Sequence, residues 1–170
     1  MSSRRNLIYF VEGETEEKLV KVLRTEMLYI RPGRVIIHNV IQKILRTSML
    51  LALEREADLA FVFDTDCCKT EILEKNIEII KGNSRRRKIY LIPQVLNLED
   101  ELRFSCGITD IREITGSRSQ KDFKRDFLRL SNLAEKLSEL KFDISKMWTR
   151  QPSGKFRGLT NDSEKIKLSD

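Results

Sequence analysis

Two carboxylates in this chain stand directly after apolar segments, at the point where each apolar run stops, and a third lies close behind one of them. Glu12 follows residues 7–11, Asp64 follows residues 59–63, and Asp66 comes two residues later. A carboxylate at the end of an apolar run is costly unless it is solvated, hydrogen-bonded or paired with a cation. Hard oxygen ligands of this kind suit Mg²⁺ or Mn²⁺ rather than zinc. We therefore predict a divalent-cation site formed by these acids.

Two residues close to Glu12 fit the same site. Gly13 allows the backbone to turn sharply and to approach a ligand closely. Glu16 lies one helical turn beyond Glu12, near enough to join the same cluster of acids. The alternative is that residues 64–66 form only the capping turn of the next helix, which is the commoner use of an aspartate after a strand.

The order of the apolar segments predicts how these acids are positioned. Short runs rich in β-branched and aromatic residues predict strands at 7–11, 35–37, 59–63 and 89–92, with a helix between each consecutive pair. Alternation with crossovers of this length indicates a four-stranded parallel sheet with helices on both faces. Such sheets bind ligands beyond the carboxyl ends of their strands, which is where Glu12 and Asp64 are expected.

The pattern changes after the fourth strand. Asn97 is placed to cap a short acidic helix, and apolar residues at helical spacing predict one long helix from about 120 to 140. The same spacing predicts an earlier helix from 41 to about 56. Residues 149–170 are predicted to be loop or tail. We therefore divide the chain into an α/β domain at 1–98 and a helical extension with a basic tail at 99–170, packed on the same domain.

Composition excludes several classes of protein. The 170 residues are 40% hydrophobic and 34% charged, which is enough apolar matter for a core. The apolar runs are far shorter than the ~20 residues of a membrane helix, and Glu12 cuts the first run too early for a signal peptide. We therefore expect a soluble, cytoplasmic protein with no membrane contact. Cys67, Cys68 and Cys106 form no CxxC pair, and His38 offers no persuasive catalytic triad.

Basic residues favour an anionic partner. The chain has 32 lysines and arginines against 26 acids, a formal net charge of +6, and nucleic acid is the partner that this balance favours. Arg85, Arg86, Arg87 and Lys88 form a basic run that is a candidate for phosphate contacts. The alternative for such a run is a solvated loop between a helix and a strand.

A second candidate interface for nucleic acid lies near the C-terminus. Arg150 and Arg157 are interleaved with Trp148 and Phe156, a combination that suits single strands or flipped bases. We assign Lys155, in the same segment, the catalytic task of stabilising charge in the transition state. The alternative is that Trp148 simply docks onto the core.

Two motifs resemble those of the Toprim domain, which is shared by topoisomerases, primases, recombination proteins and OLD-type nucleases. The sequence VEGETE at 11–16 follows the first predicted strand, and FDTD at 63–66 follows the third. The form EGxTE most resembles the small OLD-type nucleases that occur in phage defence. The resemblance covers about residues 7–98, a little over half of the chain.

The resemblance implies a role for each acid. Glu12 matches the Toprim glutamate, which is taken as general acid/base or as a metal ligand. Asp64 and Asp66 match the metal-binding aspartates. Glu16 matches a helix acid that assists a metal in nuclease-type members, and Glu99 matches a further acid that follows the fourth strand. The implied fold is a Toprim-like, Rossmann-like parallel sheet with a C-terminal helical extension.

These residues together predict a metal-dependent nuclease that hydrolyses phosphodiester bonds in DNA or RNA. A divalent ion stabilises the extra negative charge and lowers the pKa of its bound water. In this hypothesis Asp64 and Asp66 hold one Mg²⁺ or Mn²⁺, and Glu12 positions or deprotonates the attacking water. Glu16 and Glu99 support a second ion. The resemblance also implies a defence role and allows a partner protein such as an ATPase, and a homo-oligomer.

Two alternatives come from other classes. One is a module that keeps the Toprim shape without turnover and binds nucleic acid or completes a complex; binding without cleavage in Mg²⁺ or Mn²⁺ would distinguish it. The other is a phosphatase resembling haloacid dehalogenases, with Asp64 as nucleophile. That motif requires Thr or Val where Cys68 stands, and it leaves Glu12 unexplained. Because Cys67 and Cys68 also depart from the Toprim pattern, we assign no second metal to this loop or to Glu71.

Overall fold

The computed structural model describes residues 5–54, 56–67, 69–84 and 86–168. Within these ranges the strands are β1 (Leu7–Val11), β2 (Arg34–Ile37), β3 (Asp58–Asp64) and β4 (Ile89–Gln94). They lie in the order β2-β1-β3-β4, and all three neighbouring pairs are parallel. The α/β class and the parallel four-stranded sheet flanked by helices are therefore confirmed, and this architecture is compatible with a Rossmann-like fold.

The fourth strand is longer than the predicted 89–92 because it continues through Pro93 to Gln94. Proline has no N–H to donate, and it is tolerated here because β4 lies at the edge of the sheet. In the register of β3 and β4, Pro93 pairs with Phe63 and Gln94 with Asp64. The extension therefore brings a polar side chain next to the aspartate at the end of β3.

The helices of the described residues surround this sheet. They are α1 (Glu14–Thr25), α2 (Thr47–Leu51), α3 (Glu71–Asn83), α4 (Leu98–Cys106), α5 (Arg112–Thr115), α6 (Phe123–Arg129) and α7 (Leu133–Glu139). Short 3₁₀ turns occur at Gln120–Asp122, Gly154–Phe156 and Ser163–Lys165. Among the described helices, none has the length and apolar character needed to cross a membrane.

The predicted helix at 41–56 is wrong in extent, since only α2 is helical there. The segment before α2 forms turns, because side-chain amides satisfy its backbone instead. The Asn39 side chain accepts hydrogen bonds from the N–H groups two and three residues further on, each at 3.0 Å. The Asn76 side chain of α3 accepts one from Leu45 N–H at 2.7 Å. Competition of this kind is the usual way in which asparagine disfavours helix.

The predicted helix at 120–140 is also wrong, because it is broken into a 3₁₀ turn, α6 and α7. At the end of α6, Leu130 adopts an extended backbone with φ −66° and ψ 116°. The Lys18 ammonium of α1 donates hydrogen bonds to the carbonyls of Phe127 and Leu128, both at 2.8 Å, and also to that of Leu130. A cation bound to the last carbonyls stabilises a helix end at this point.

The core consists of two apolar clusters, one containing alternate residues of β1 such as Tyr9 and the other containing Phe10. The first also holds apolar side chains of α1, α4, α6 and α7, and the second holds those of α2 and α3. The segment 149–170 was predicted to be loop or tail, and in its described part, 149–168, the helical elements are short 3₁₀ turns. The segment is nevertheless packed on the core, since Phe156 is buried in the second cluster and the preceding Trp148 is fully buried in the first. The alternative in which Trp148 docks onto the core is therefore confirmed.

Candidate functional site

The side chains of Glu12 and Asp64 meet at the carboxyl end of the sheet. β1 and β3 pair in parallel, with Phe10 opposite Phe61, so the residues that follow each strand arrive at the same edge. Asp64 N–H donates a hydrogen bond to Glu12 Oε2 at 3.2 Å. Both acids are half-buried, while the strand residues before them are buried. Two apolar strands thus bring two carboxyl groups into contact at the protein surface.

A cavity of about 490 Å³ opens at this edge. Its lining contains five acids, namely Glu12, Glu14, Glu16, Asp64 and Asp66. Lys124 of α6 is a cation in the same lining. Four of these acids were selected from the sequence, and the structure brings all four to one cavity.

The contact between the two carboxyl groups changes their ionisation. Burial, followed by the negative charge of Glu12, raises the pKa of Asp64 to about 9. Burial also raises the pKa of Glu12, although its hydrogen bonds with Asp64 lower it in part. Two carboxylates this close disfavour the doubly ionised state, so without a cation the pair retains a proton that isolated groups would have released.

Glu16 and Asp66 add negative charge to this pair from two sides. Glu16 is only 6% exposed, and the Thr15 hydroxyl donates a hydrogen bond to its Oε2 at 3.0 Å. A Cβ at Gly13 would lie 3.3 Å from the same oxygen, so the glycine leaves room for the carboxylate. Asp66 is exposed at the mouth of the cavity. A positive charge placed in the cavity would be attracted by all four acids.

The donor set fits a hard divalent cation that keeps much of its water. Among the described residues, no three His, Cys, Asp or Glu side chains already stand close enough together to hold an ion. Mg²⁺ is commonly bound by one or two carboxylates, with water and phosphate completing its shell, rather than by a cage of protein ligands. The contacting pair Glu12 and Asp64 matches that mode, and a closed zinc-like site does not.

Gln94 was missed in the sequence analysis. It is fully buried, and its Nε2 donates a hydrogen bond to Asp64 Oδ1 at 2.6 Å. The Gln94 carbonyl also accepts hydrogen bonds from Thr65 N–H at 3.1 Å and from the Thr65 hydroxyl at 2.7 Å. A polar residue just after Pro93 at the end of an apolar run was the available signal, and the assumption that proline ends the strand concealed it.

Lys124 was also missed, and it is linked to one of the predicted ligands. Its ammonium lies 3.6 Å from Glu99 Oε1 across the gap between α6 and α4. Glu99 is therefore paired with a cation and does not line the cavity in which the other acids meet. No local pattern marks Lys124, because its position depends on how α6 packs against α1.

Lys155 lies near the end of β3 but outside the lining of the cavity. It belongs to the turn Gly154–Phe156, in which the Phe156 ring packs against Phe63 with 6.2 Å between the ring centroids. The pKa of Glu71 is lowered by its own backbone N–H at the start of α3 and, to a smaller extent, by the charge of Lys155. The charge of Lys155 therefore acts on the start of α3.

The two arginines predicted to contact nucleic acid near the C-terminus differ from each other. Arg150 Nη2 lies 2.9 Å from Asp100 Oδ2 and 3.3 Å from Glu101 Oε1, as ion pairs without hydrogen-bond alignment. Its guanidinium also stacks on the Phe104 ring at 4.5 Å. Arg150 therefore has a structural role in holding α4. Arg157 is exposed.

The basic run lies at the opposite end of the sheet from the cavity, because it precedes β4. Arg87 is half-buried, and its Nη2 donates a hydrogen bond to Glu54 O at 3.1 Å, while Arg86 and Lys88 are exposed. Arg85 lies outside the described residues, as does Cys68. A strand as long as β3 separates its two ends by roughly 20 Å. Arg86, Arg87 and Lys88 are therefore too far away to contact a phosphate that occupies the cavity.

The arrangement combines acids that could hold a cation, an open cavity that could admit a ligand, and a lysine on the cavity wall. Metal-assisted chemistry on a phosphate ester commonly uses these three features. Comparisons with protein-family models, with curated proteins and with solved structures find no significant match for this chain. The geometry of the cavity is therefore the basis on which we assign a function.

Proposed function

We propose that the protein is a metal-dependent nuclease of Toprim type, which hydrolyses phosphodiester bonds in DNA or RNA with Mg²⁺ or Mn²⁺. The observation that carries this proposal is the contact between Glu12 and Asp64 at the mouth of an open cavity. In the described part of the chain, the ion pairs of lysine and arginine involve neither of these acids. Like charges held together without a cation partner are typical of a functional site.

The protein residues divide into ligands and a phosphate contact. We assign Glu12, Asp64 and Asp66 as the groups that hold the cation, with Glu16 supporting them from α1. When bound, such an ion lowers the pKa of water and neutralises charge on a phosphate. Glu12 is also placed to accept a proton from the attacking water, because it stands at the cavity wall beside Asp64.

Lys124 is the lysine best placed to contact the substrate phosphate. It lines the cavity, its side chain is 67% exposed, and its pairing with Glu99 at 3.6 Å is loose. A phosphate entering the cavity could replace Glu99 as its partner at little cost, since exposed ion pairs contribute about 0–1 kcal/mol. Lys155, which the sequence analysis selected for transition-state charge, would need movement of its turn to take part.

Cleavage assays on matched variants test the proposal. Labelled tRNA, single-stranded DNA and duplex DNA are incubated with the purified protein in Mn²⁺, in Mg²⁺ and in EDTA. We expect cleavage only with a divalent ion, and a loss of about 10³-fold in Glu12→Gln and in Asp64→Asn, equivalent to about 4 kcal/mol of lost transition-state stabilisation.

The control is Glu17→Gln, which makes the same change of charge on α1 but removes a carboxylate paired with Lys21 at 2.7 Å, outside the cavity. Its cleavage rate should remain within twofold of the unmodified protein. Full activity in Glu12→Gln or Asp64→Asn, or cleavage in EDTA, would contradict the proposal.

A second candidate is a Toprim module that binds nucleic acid or completes a complex without turnover. The observation that favours it is the lack, among the described residues, of three acids already gathered closely enough to hold an ion. Binding of RNA or DNA without cleavage in either metal would support this candidate. A partner protein such as an ATPase, a homo-oligomer and a role in phage defence stay predictions of the resemblance.

A further inference from the structure

A chain of two hydrogen bonds, one buried and one partly buried, connects Asp64 to the C-terminal segment. The indole N–H of Trp148 donates to Gln94 Oε1 at 3.1 Å, and Gln94 Nε2 donates to Asp64 Oδ1 at 2.6 Å. Both Trp148 and Gln94 are fully buried. An indole can only donate, so Gln94 must turn its oxygen towards Trp148 and its nitrogen towards Asp64. Trp148 therefore determines the orientation of the amide that contacts the carboxylate.

Trp148 is itself held firmly in place. Its backbone has φ 61°, a left-handed conformation that non-glycine residues adopt only when their surroundings enforce it. Its N–H donates to Glu101 Oε2 at 3.1 Å, and its carbonyl accepts hydrogen bonds from Asn161 at 2.6 Å and from the Ser163 hydroxyl at 3.0 Å. The indole is thus a fixed donor rather than a mobile side chain.

Glu101 ties this arrangement to the end of β4. It is completely buried and accepts a hydrogen bond from Val95 N–H at 2.8 Å, next to Gln94 in the chain. Arg150, only two residues after Trp148, supplies the charge that pairs with Glu101. The C-terminal segment is therefore fastened to the strand that carries Gln94, directly behind the candidate cation site.

We propose that Gln94 and Trp148 are positioning residues of this site. Gln94 restricts the rotation of the Asp64 carboxylate, and Trp148 keeps Gln94 in the orientation that does so. The proposal rests on the proposed function, because it takes Asp64 as a cation ligand. Because the two hydrogen bonds join Asp64 to the indole through one amide, we expect an ion bound at Asp64 to alter the surroundings of the Trp148 indole.

Trp148 is the single tryptophan of the chain, and its indole therefore gives one N–H signal in a ¹H–¹⁵N NMR spectrum. Mg²⁺ alone is titrated into the ¹⁵N-labelled full-length protein, and the amide signal of Gly13 in the cavity lining reports occupancy independently. We expect both signals to shift along the same saturation curve. This readout does not depend on enzymatic activity.

Gln94→Met removes both hydrogen bonds of the amide with little change of volume, and Trp148→Phe removes the indole donor. We expect Gln94→Met to weaken Mg²⁺ binding by about 10–100-fold, the usual effect of losing a group that orients a ligand. Trp148→Phe should weaken it in the same direction, measured from Gly13, and it provides the test if Gln94→Met fails to fold.

Tyr90→Phe is the matched control. It removes another buried hydrogen bond from β4 to an aspartate of β3, that of the Tyr90 hydroxyl to Asp58 Oδ2 at 3.3 Å, at the far end of the sheet. Its Mg²⁺ affinity should equal that of the unmodified protein.

The outcomes separate the two proposals. If Gly13 responds to Mg²⁺ but the indole signal does not, or if Gln94→Met or Trp148→Phe retains the original affinity, the positioning role is refuted while the cation site stands. If neither signal responds in the unmodified protein, the cation site and its positioning residues are refuted together.

Discussion

Strand β3 begins with Asp58 at one end of the sheet and ends with Asp64 at the other. Asp58 is 3% exposed, yet it is surrounded by donors. Lys88 N–H donates to it at 3.1 Å and the Tyr90 hydroxyl at 3.3 Å, and the Arg5 guanidinium lies 3.7 Å away. Asp58 therefore has a structural role, because its contacts join β4 and the segment before β1 to β3.

Asp64 is in the opposite situation. The charged groups that act on it are acids, Glu12 and Glu16, and the Gln94 amide donates a hydrogen bond to it. Burial and this like charge raise the pKa of Asp64, whereas a divalent cation would satisfy both carboxyl groups at once. The comparison shows that burial alone does not identify a functional acid. Asp58 and Asp64 differ in the groups that surround them, and that difference identifies Asp64 as the candidate.

Adding a divalent ion should produce the largest difference between variants of Asp58 and of Asp64, measured as a change in Tm. An ion that binds only the folded state stabilises it by about 2.7 kcal/mol at a hundred times its Kd. For a chain of this size, 1 kcal/mol corresponds to a rise of about 2–4 °C in Tm. We expect this rise in the unmodified protein and in Asp58→Asn, and its loss in Asp64→Asn, as measured by thermal unfolding in Mg²⁺ and in EDTA.

An equal rise of Tm in Asp64→Asn would place the ion elsewhere on the protein. The difference between Asp58 and Asp64 would then give no support to a cation site at Asp64.

The next effect concerns stability in EDTA. Asp58→Asn should lower the free energy of unfolding by about 2 kcal/mol, because the new amide opposes the donors from Lys88 and Tyr90 and leaves one of them unsatisfied. Asp64→Asn at pH 8 should leave this free energy unchanged or raise it, since it removes the cost of keeping a proton on the Asp64 and Glu12 pair at this pH. Urea unfolding of both variants is the measurement. Similar losses in both would show that Asp64 is as structural as Asp58.

The features that depend on local pattern could be predicted from the sequence. The strands follow from short apolar runs, and the parallel order follows from the alternation with helices. Because parallel strands end at a common edge, the proximity of Glu12 and Asp64 could also be expected. The role of these acids as cation ligands stays a prediction.

Features that depend on tertiary packing could not be predicted. Gln94 reaches Asp64 only through the register of two strands that are distant in the chain. Lys124 lines the cavity only because α6 is packed against α1, a contact between elements that are distant in the chain. That Trp148 docks onto the core could be given as an alternative from the sequence, but its hydrogen-bond partners Glu101, Asn161 and Ser163 could not.

The pH dependence of stability sharpens the comparison further. The pKa of Asp64 is raised from 3.8 to about 9 in the folded protein without a cation, so between these values the folded state binds more protons than the unfolded chain. The free energy of unfolding should therefore fall as pH rises through this window, by at most about 1.4 kcal/mol per pH unit for each proton. The stability that the folded state gains from the raised pKa of Asp64 is fully present below about pH 4 and is lost as the pH rises towards 9.

Urea titrations in EDTA from pH 5 to 8 measure this slope. It should be shallower in Asp64→Asn and unchanged in Asp58→Asn. In saturating Mg²⁺ it should flatten or reverse, because the ion competes with the shared proton. A slope that is identical in all three proteins would mean that the carboxyl pair is ionised independently.

The smallest effect compares single lysines at the two ends of the sheet. Lys124 lines the cavity, whereas Lys88 is exposed roughly 20 Å away, next to Asp58. Lys124→Ala should weaken binding of a short single-stranded oligonucleotide severalfold and reduce the slope of log K against log salt by about 0.7, the value for one phosphate contact on a single strand. Lys88→Ala should change neither quantity. Fluorescence anisotropy in EDTA over a series of salt concentrations measures both, without cleavage. If Lys88→Ala weakened binding and Lys124→Ala did not, the nucleic acid would bind through the basic run, at the end of the sheet where Asp58 already has its hydrogen-bond donors. The acids of the cavity would then require a substrate other than the bound strand.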